Sequence, residues 1–190
     1  MPNRITATFD GKHVFVTGGS GFMGKVLVEK LLRTCPKIGR IYLLIRLKKG
    51  KDPKDRIHDI FSSQVSIKKT LYKKRVTQKR MTNDEIFSFK LFDKLKEEQG
   101  KDIITKKVQA INGDVSLPDL GMSQTDRQIL ADNVHFVYHM AATIRFDEPL
   151  KKAVLLNTRG TKLILQLAKE MKKLEVSVKH FISERRMLKI

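Results

Sequence analysis

Val14-Phe15-Val16-Thr17-Gly18-Gly19-Ser20-Gly21-Phe22-Met23-Gly24 reads as a strand running into a glycine turn. The residues that follow, Lys25-Val26-Leu27-Val28-Glu29-Lys30-Leu31-Leu32, open a helical pattern. Strand, glycine turn and helix in that order form a device for holding a dinucleotide pyrophosphate. Gly18 lets the chain turn sharply, Gly21 lets backbone approach the phosphates, and Gly24 lets helix and strand pack closely. The N–H groups and positive dipole end of the new helix then face the anion. Thr17, Ser20, Phe22 and Met23 fill out the turn and stand with these glycines as expected cofactor-binding residues.

Further along, strand-like and helix-like runs alternate, the pattern of a parallel sheet covered by helices. After Val14 to Val16, the expected strands are Ile41 to Ile45, Val108 to Ile111, Val134 to Tyr138 and Val176 to Ile182. Between the last two, Leu150, Ala153, Val154, Ile164, Leu165 and Ala168 recur at a spacing that predicts one apolar helix face starting near Pro149. The fold class is therefore α/β, a Rossmann-type doubly wound parallel sheet, whose strand ends form a ligand crevice at one edge. Residues 1–10 read as an N-terminal arm and 11–190 as the dinucleotide-binding domain, incomplete after about the fifth strand. The stretch from 47 to 107 is too long for an ordinary crossover. It is expected to hold an amphipathic helix over Phe89 to Glu98 and an exposed basic insertion over 64–86.

The 190 residues leave room for one domain with a core. The single cysteine, Cys35, excludes an internal disulfide and points to a reducing compartment, with Cys35 read as a small apolar residue at a helix end. The sequence as written has neither a signal-peptide core nor a bilayer-length apolar run, so an intracellular protein is expected, soluble in the cytosol or at a membrane surface. The net charge of +19 points toward a polyanion, an anionic surface or a phosphate-rich ligand. Much of it is concentrated. Lys68, Lys69, Lys73, Lys74, Arg75, Lys79 and Arg80 face only Asp84 and Glu85 within 64–86, and the stretch from 169 is basic again. Aromatic and basic residues do not interleave, which speaks against a specific nucleic-acid partner. Arg46 stands at the end of the second strand, where an acidic residue would hold the ribose hydroxyls of NAD. A cation there favours the 2′-phosphate of NADP.

Several stretches, in order, resemble the N-terminal part of the fatty acyl-CoA reductases, within the extended short-chain dehydrogenase group. They are Val14 to Leu32, Ile41 to Arg46, Leu91-Phe92-Asp93-Lys94-Leu95, Asn112 to Gly121, His139 to Glu148 and Asn157-Thr158-Arg159-Gly160-Thr161. The resemblance implies NADPH as cofactor and a long-chain fatty acyl-CoA as substrate, reduced to a primary alcohol. It also implies membrane association at an organelle for full-length members. It implies that Asp114 accepts a hydrogen bond from the adenine amino group beside Val115. Ala141, Ala142 and Thr143 would let the cofactor ribose approach. His139 is read as a core or turn histidine, and no residue set has metal-ligand spacing to it. Asn157 either shapes the site or makes an ordinary interior contact.

The chain departs from the group's pattern at its catalytic pair. A Tyr-x-x-x-Lys pair would protonate the developing oxyanion and bind the nicotinamide ribose. Here Tyr42 is followed at that spacing by Arg46, Tyr72 by Val76 and Tyr138 by Ala142. Ser183 stands where a strand-end hydroxyl would orient the carbonyl, a catalytic candidate that could do little without Tyr and Lys. These 190 residues are therefore expected to bind cofactor without turnover, as part of a longer reductase whose substrate domain lies elsewhere. Two other readings stay open: a non-catalytic dinucleotide- or partner-binding module, and a basic binder of anionic surfaces. Acyl chain length, product and oligomeric state are not legible here.

Overall fold

The computed structural model describes residues 4–46, 57, 60–61, 91–143 and 147–179. The basic insertion at 64–86, Tyr72, the start of the helix expected from Phe89, the last three residues of the strand expected over Val176 to Ile182, and Ser183 lie outside the described residues. Strand β1 (His13–Thr17) leads into helix α2 (Phe22–Thr34) and then β2 (Ile41–Ile45). A short helix α1 (Arg4–Thr8) precedes them. Next come α3 (Asp93–Gln99), α4 (Ile103–Lys107), β3 (Val108–Asn112), a tight turn over Pro118–Gly121, α5 (Gln124–Asn133) and β4 (Val134–His139). The last helical stretch starts as α6 (Leu150–Ala153), widens to a π-helix over Val154–Arg159 and continues as α7 (Gly160–Glu170) before β5 (Val176–Lys179).

All four strand pairings are parallel, in the order β3-β2-β1-β4-β5. The chain winds outward from β1 through β2 to β3, then returns past β1 to β4 and β5. The expected doubly wound sheet is present. Alternation along the central strands decides which face each side chain serves. Val14, Val16, Ile41, Leu43 and Ile45 join one core with Val28, Leu32, Leu95 and Ile104 from α2, α3 and α4. Phe15, Tyr42 and Leu44 join the other with Leu130, Ile164 and Leu167 from α5 and α7. β2 is buried at every residue, as a parallel strand covered on both faces must be. Each large side chain so buried stabilises by about 1.5–3 kcal/mol relative to exposure.

Three expectations change. Ile164 and Ala168 are buried, but Leu150, Val154 and Leu165 are 79%, 46% and 50% exposed, so the expected single apolar face does not form. The widened turn at Val154–Arg159 shifts the register that a uniform 3.6-residue repeat assumes. The helix expected from Phe89 is formed over Asp93–Gln99, with Phe92 buried just before it against Phe61. Residues read as an arm also pack on the domain. Phe9 sits in the core with its ring 4.9 Å from that of Phe136, and Asp10 bridges to Ile38. Cys35, buried and unpaired with another cysteine, ends α2.

At the opposite edge from the crevice, His13 N–H donates to His135 Nδ1 at 3.1 Å, and the His13 ring lies 5.9 Å from that of Tyr42. Burial lowers the pKa of both histidines from the ordinary 6.5. His135 and Arg40 add to the effect at His13, and Lys12 adds to it at His135. Both rings bind protons more weakly in the folded state than in the unfolded one. Their contribution is complete above the unfolded value and is lost as pH falls below it toward the folded values. Between pH 7.5 and 5.5, where histidine is the main titrating side chain, the melting temperature should fall. The fall should be shallower in a His13→Asn/His135→Asn variant, and equal slopes for the two proteins would show that this pair does not carry the effect.

Candidate functional site

The first turn of the crevice is set by two backbone approaches. Gly18 has φ +72°, and a Cβ there would lie 2.7 Å from Ala141 N and from the Met140 carbonyl carbon. At Gly24 a Cβ would run into the Gly18 carbonyl and the Gly19 Cα. The start of α2 is thereby pressed onto the end of β1, and the turn onto the end of β4. No side chain caps α2 at Gly21, and its first turn has no acidic residue. A helix N-terminus so built is suited to an anion.

Across the switch point between β1 and β4 lies a cleft of about 500 Å³. Gly18, Ser20, Gly21, Arg46, Asp114, Val115, Ala141, Ala142 and Thr143 line it, and these are nine of the residues expected from the sequence. Thr17, Phe22, Met23 and Gly24 do not line it. Phe22 and Met23 are 44% and 45% exposed, Gly24 is buried in the turn contact, and Thr17 is fully buried. Leu44, Gly113, Met140, Glu148, Lys152 and Leu156 complete the lining and were missed. The i, i+4 spacing of Glu148 and Lys152 around Pro149 was the available signal for one pair.

Two charge pairs stand in this cleft. Arg46 Nε lies 4.0 Å from Asp114 Oδ2, with the arginine side chain 70% exposed. So long and exposed a pair holds its arginine loosely. The other Asp114 oxygen accepts from Ser116 N and Ser116 Oγ, both at 2.8 Å. Lys152 Nζ donates to Glu148 Oε1 at 2.9 Å. The Asp114 loop is itself braced. Asp114 N–H donates to the Leu120 carbonyl at 2.7 Å, and the turn that presents this carbonyl holds Asp119 and Leu120 at φ 49° and 61°. That conformation is unfavourable for leucine, and complete burial of the Leu120 side chain offsets it.

Beneath the β4 end runs a buried polar chain. Thr17 Oγ1 lies 2.6 Å from His139 Nδ1 and accepts Ala141 N–H at 3.3 Å. His139 Nε2 lies 3.2 Å from Thr161 Oγ1. Asn157 grips Thr143 at both backbone atoms, accepting its N–H at 2.9 Å and donating to its carbonyl at 3.0 Å. His139 is thus the interior histidine the sequence suggested, and Asn157 shapes the lip of the cleft. Among the described residues no cluster could hold a metal ion, and no helix is long and apolar enough to cross a membrane.

With this geometry, comparison with known proteins is decisive. The NAD-binding family described as Male sterility protein matches residues 16–81 and 72–187. The chain belongs to that family. Fatty acyl-CoA reductase 1 of Homo sapiens is 38% identical over 172 residues, covering 90% of this chain and 28% of the relative. Fatty acyl-CoA reductase wat of Drosophila melanogaster is 42% identical over 170 residues, covering 90% of this chain and 27% of the relative. This male sterility family chain is thus homologous to fatty acyl-CoA reductases and spans little more than a quarter of their length. In fold it resembles the terminal R domain of the myxalamid PKS-NRPS pathway, with TM-score 0.60, 23% identity, and coverage of 88% of this chain and 34% of that one. It also resembles the reductase domain of a nonribosomal peptide synthetase from Mycobacterium tuberculosis, with TM-score 0.57, 23% identity, and coverage of 94% and 37%.

Gly24→Ala forces a methyl group into the contact between α2 and the glycine turn. It should destabilise the domain by about 1–3 kcal/mol in urea unfolding. Gly11→Asn, in open space at φ +67°, should cost far less because Asn tolerates that conformation. Equal midpoints for the two variants would refute the packing account.

Proposed function

We propose that this chain is the NADPH-binding part of a fatty acyl-CoA reductase. The observation that carries the reading is the position of Arg46. It stands at the end of β2, at the cleft, with its guanidinium exposed and only a 4.0 Å contact to Asp114. A 2′-phosphate on the adenosine would offer that guanidinium a bidentate partner stronger than the loose carboxylate. Gly18, Ser20 and Gly21 line the cleft at the uncapped start of α2, where a pyrophosphate would meet backbone N–H groups. Asp114 and Val115 would hold the adenine, and Ala141, Ala142 and Thr143 would face the ribose, small side chains permitting the approach.

A reduced nicotinamide supplies the hydride for such a reductase. The chain's own residues bind and orient it. Protonation of the oxyanion would need a donor such as the tyrosine of Tyr-x-x-x-Lys, and no such pair occurs in these 190 residues. The long-chain acyl-CoA substrate and any organelle membrane association are carried over from the relatives as part of this proposal. The 190 residues should bind NADPH without reducing acyl-CoA.

Isothermal titration with NADPH and NADH tests this. NADPH should bind at least about tenfold more tightly, one charge-assisted contact's worth, and Arg46→Ala should erase the difference while sparing NADH. Equal affinities would remove the NADPH preference. Failure to bind either nucleotide, alongside steeply salt-dependent binding to heparin, would favour the anionic-surface reading suggested by the +19 charge.

A further inference from the structure

The hydrogen bonds beneath the cleft's β4 lip run in one direction, and His139 sets it. Thr161 Oγ1 donates its only proton to the Asn157 carbonyl at 2.6 Å. His139 Nε2, 3.2 Å from that same oxygen, must then be the donor to it. A neutral imidazole has one N–H, so Nδ1 is a bare acceptor, and Thr17 Oγ1 at 2.6 Å donates to it. The lone pairs of Thr17 remain for Ala141 N–H at 3.3 Å. The other neutral tautomer would set two acceptors face to face at Thr161. The imidazolium would set its Nδ1–H against Thr17 and displace the threonine proton from its acceptor. Among the contacts of the described residues, the neutral Nε2–H form satisfies every group in this buried chain, and His139 is 3% exposed.

The two ends of the chain meet at one loop. Thr17 receives Ala141 N–H, and Asn157, whose carbonyl is the last acceptor, clamps Thr143 at both backbone atoms. β1, the end of β4 and α7 are joined in a circuit that closes through the lip of the cleft. We infer that His139 is a positioning residue, held as the neutral Nε2–H tautomer, that locks the Ala141–Thr143 lip in the arrangement a dinucleotide requires. The part concerning the dinucleotide rests on the function proposed above, whereas the lock itself does not.

Long-range 1H–15N spectra of the 190-residue chain labelled at histidine read the tautomer directly. At pH 7 the His139 signals, identified by their loss in His139→Gln, should show protonated Nε2 and unprotonated Nδ1. The opposite tautomer or an imidazolium would overturn the inference. Amide exchange tests the lock without any ligand. Thr17→Val, nearly isosteric, should speed exchange at both Ala141 and Thr143 by about tenfold, and Thr17→Ser should restore protection. A change confined to Ala141 would show a local hydrogen bond and no circuit, overturning the lock. With NADPH, Thr17→Val should raise the dissociation constant about fivefold, the worth of one hydrogen bond, and Thr17→Ser should not. An unchanged constant would overturn the positioning role. If wild type binds no dinucleotide, the cofactor reading falls, while spectrum and exchange still decide the lock.

Discussion

The architecture depends on a close approach between two pieces of backbone. At Gly18 the turn after β1 comes so near the end of β4 that no side chain fits between them. That contact sits at the switch point, where the chain has wound outward to β3 and returned past β1. It brings the start of α2, the Asp114 loop and the β4 lip around one cleft. Loosening it would separate the elements that face each other across the cleft while leaving each element intact. The constraint is steric, so a pattern of glycines can encode it.

Much of this was legible in the sequence because it follows from local rules. The first four strands lie where apolar runs of three to five residues placed them, and β2 matches its expected span, Ile41–Ile45. The glycine turn, Arg46, Asp114 and the small residues after β4 could be placed because each falls at a strand end, and strand ends share one edge. Side-chain direction was less legible. Thr17 ends β1 with its hydroxyl turned inward to His139, and Phe22 and Met23 point outward from the helix start. Spacing along the chain cannot distinguish a turn residue that faces a ligand from one that faces the core.

Long-range features were the least legible. Asp119 and Leu120 adopt positive φ in a loop whose sequence, Pro118-Asp119-Leu120-Gly121, reads as an ordinary turn. The burial of Leu120 in the second core, together with the hydrogen bond its carbonyl accepts from Asp114, offsets the cost of that conformation. Likewise Leu150, Val154 and Leu165 look like core residues under a uniform helical repeat, and the repeat is not uniform. Tertiary packing outweighed local propensity at both places.

The π-helical stretch amounts to one extra residue carried inside a helix. Lys152 before it faces the cleft, Asn157 within it reaches Thr143, and Ile164 and Leu167 after it pack on the sheet. An unbroken α-helix turns by about 100° per residue, and the added residue supplies the rotational offset that lets all three segments meet their targets. Deleting a single residue there would yield a smoother helix with better internal hydrogen bonding, but one side of the offset would turn away. Either the cleft wall or the core face would be lost. Imperfect helix geometry is, in this sense, a stored angle, and the site exists only while it is kept.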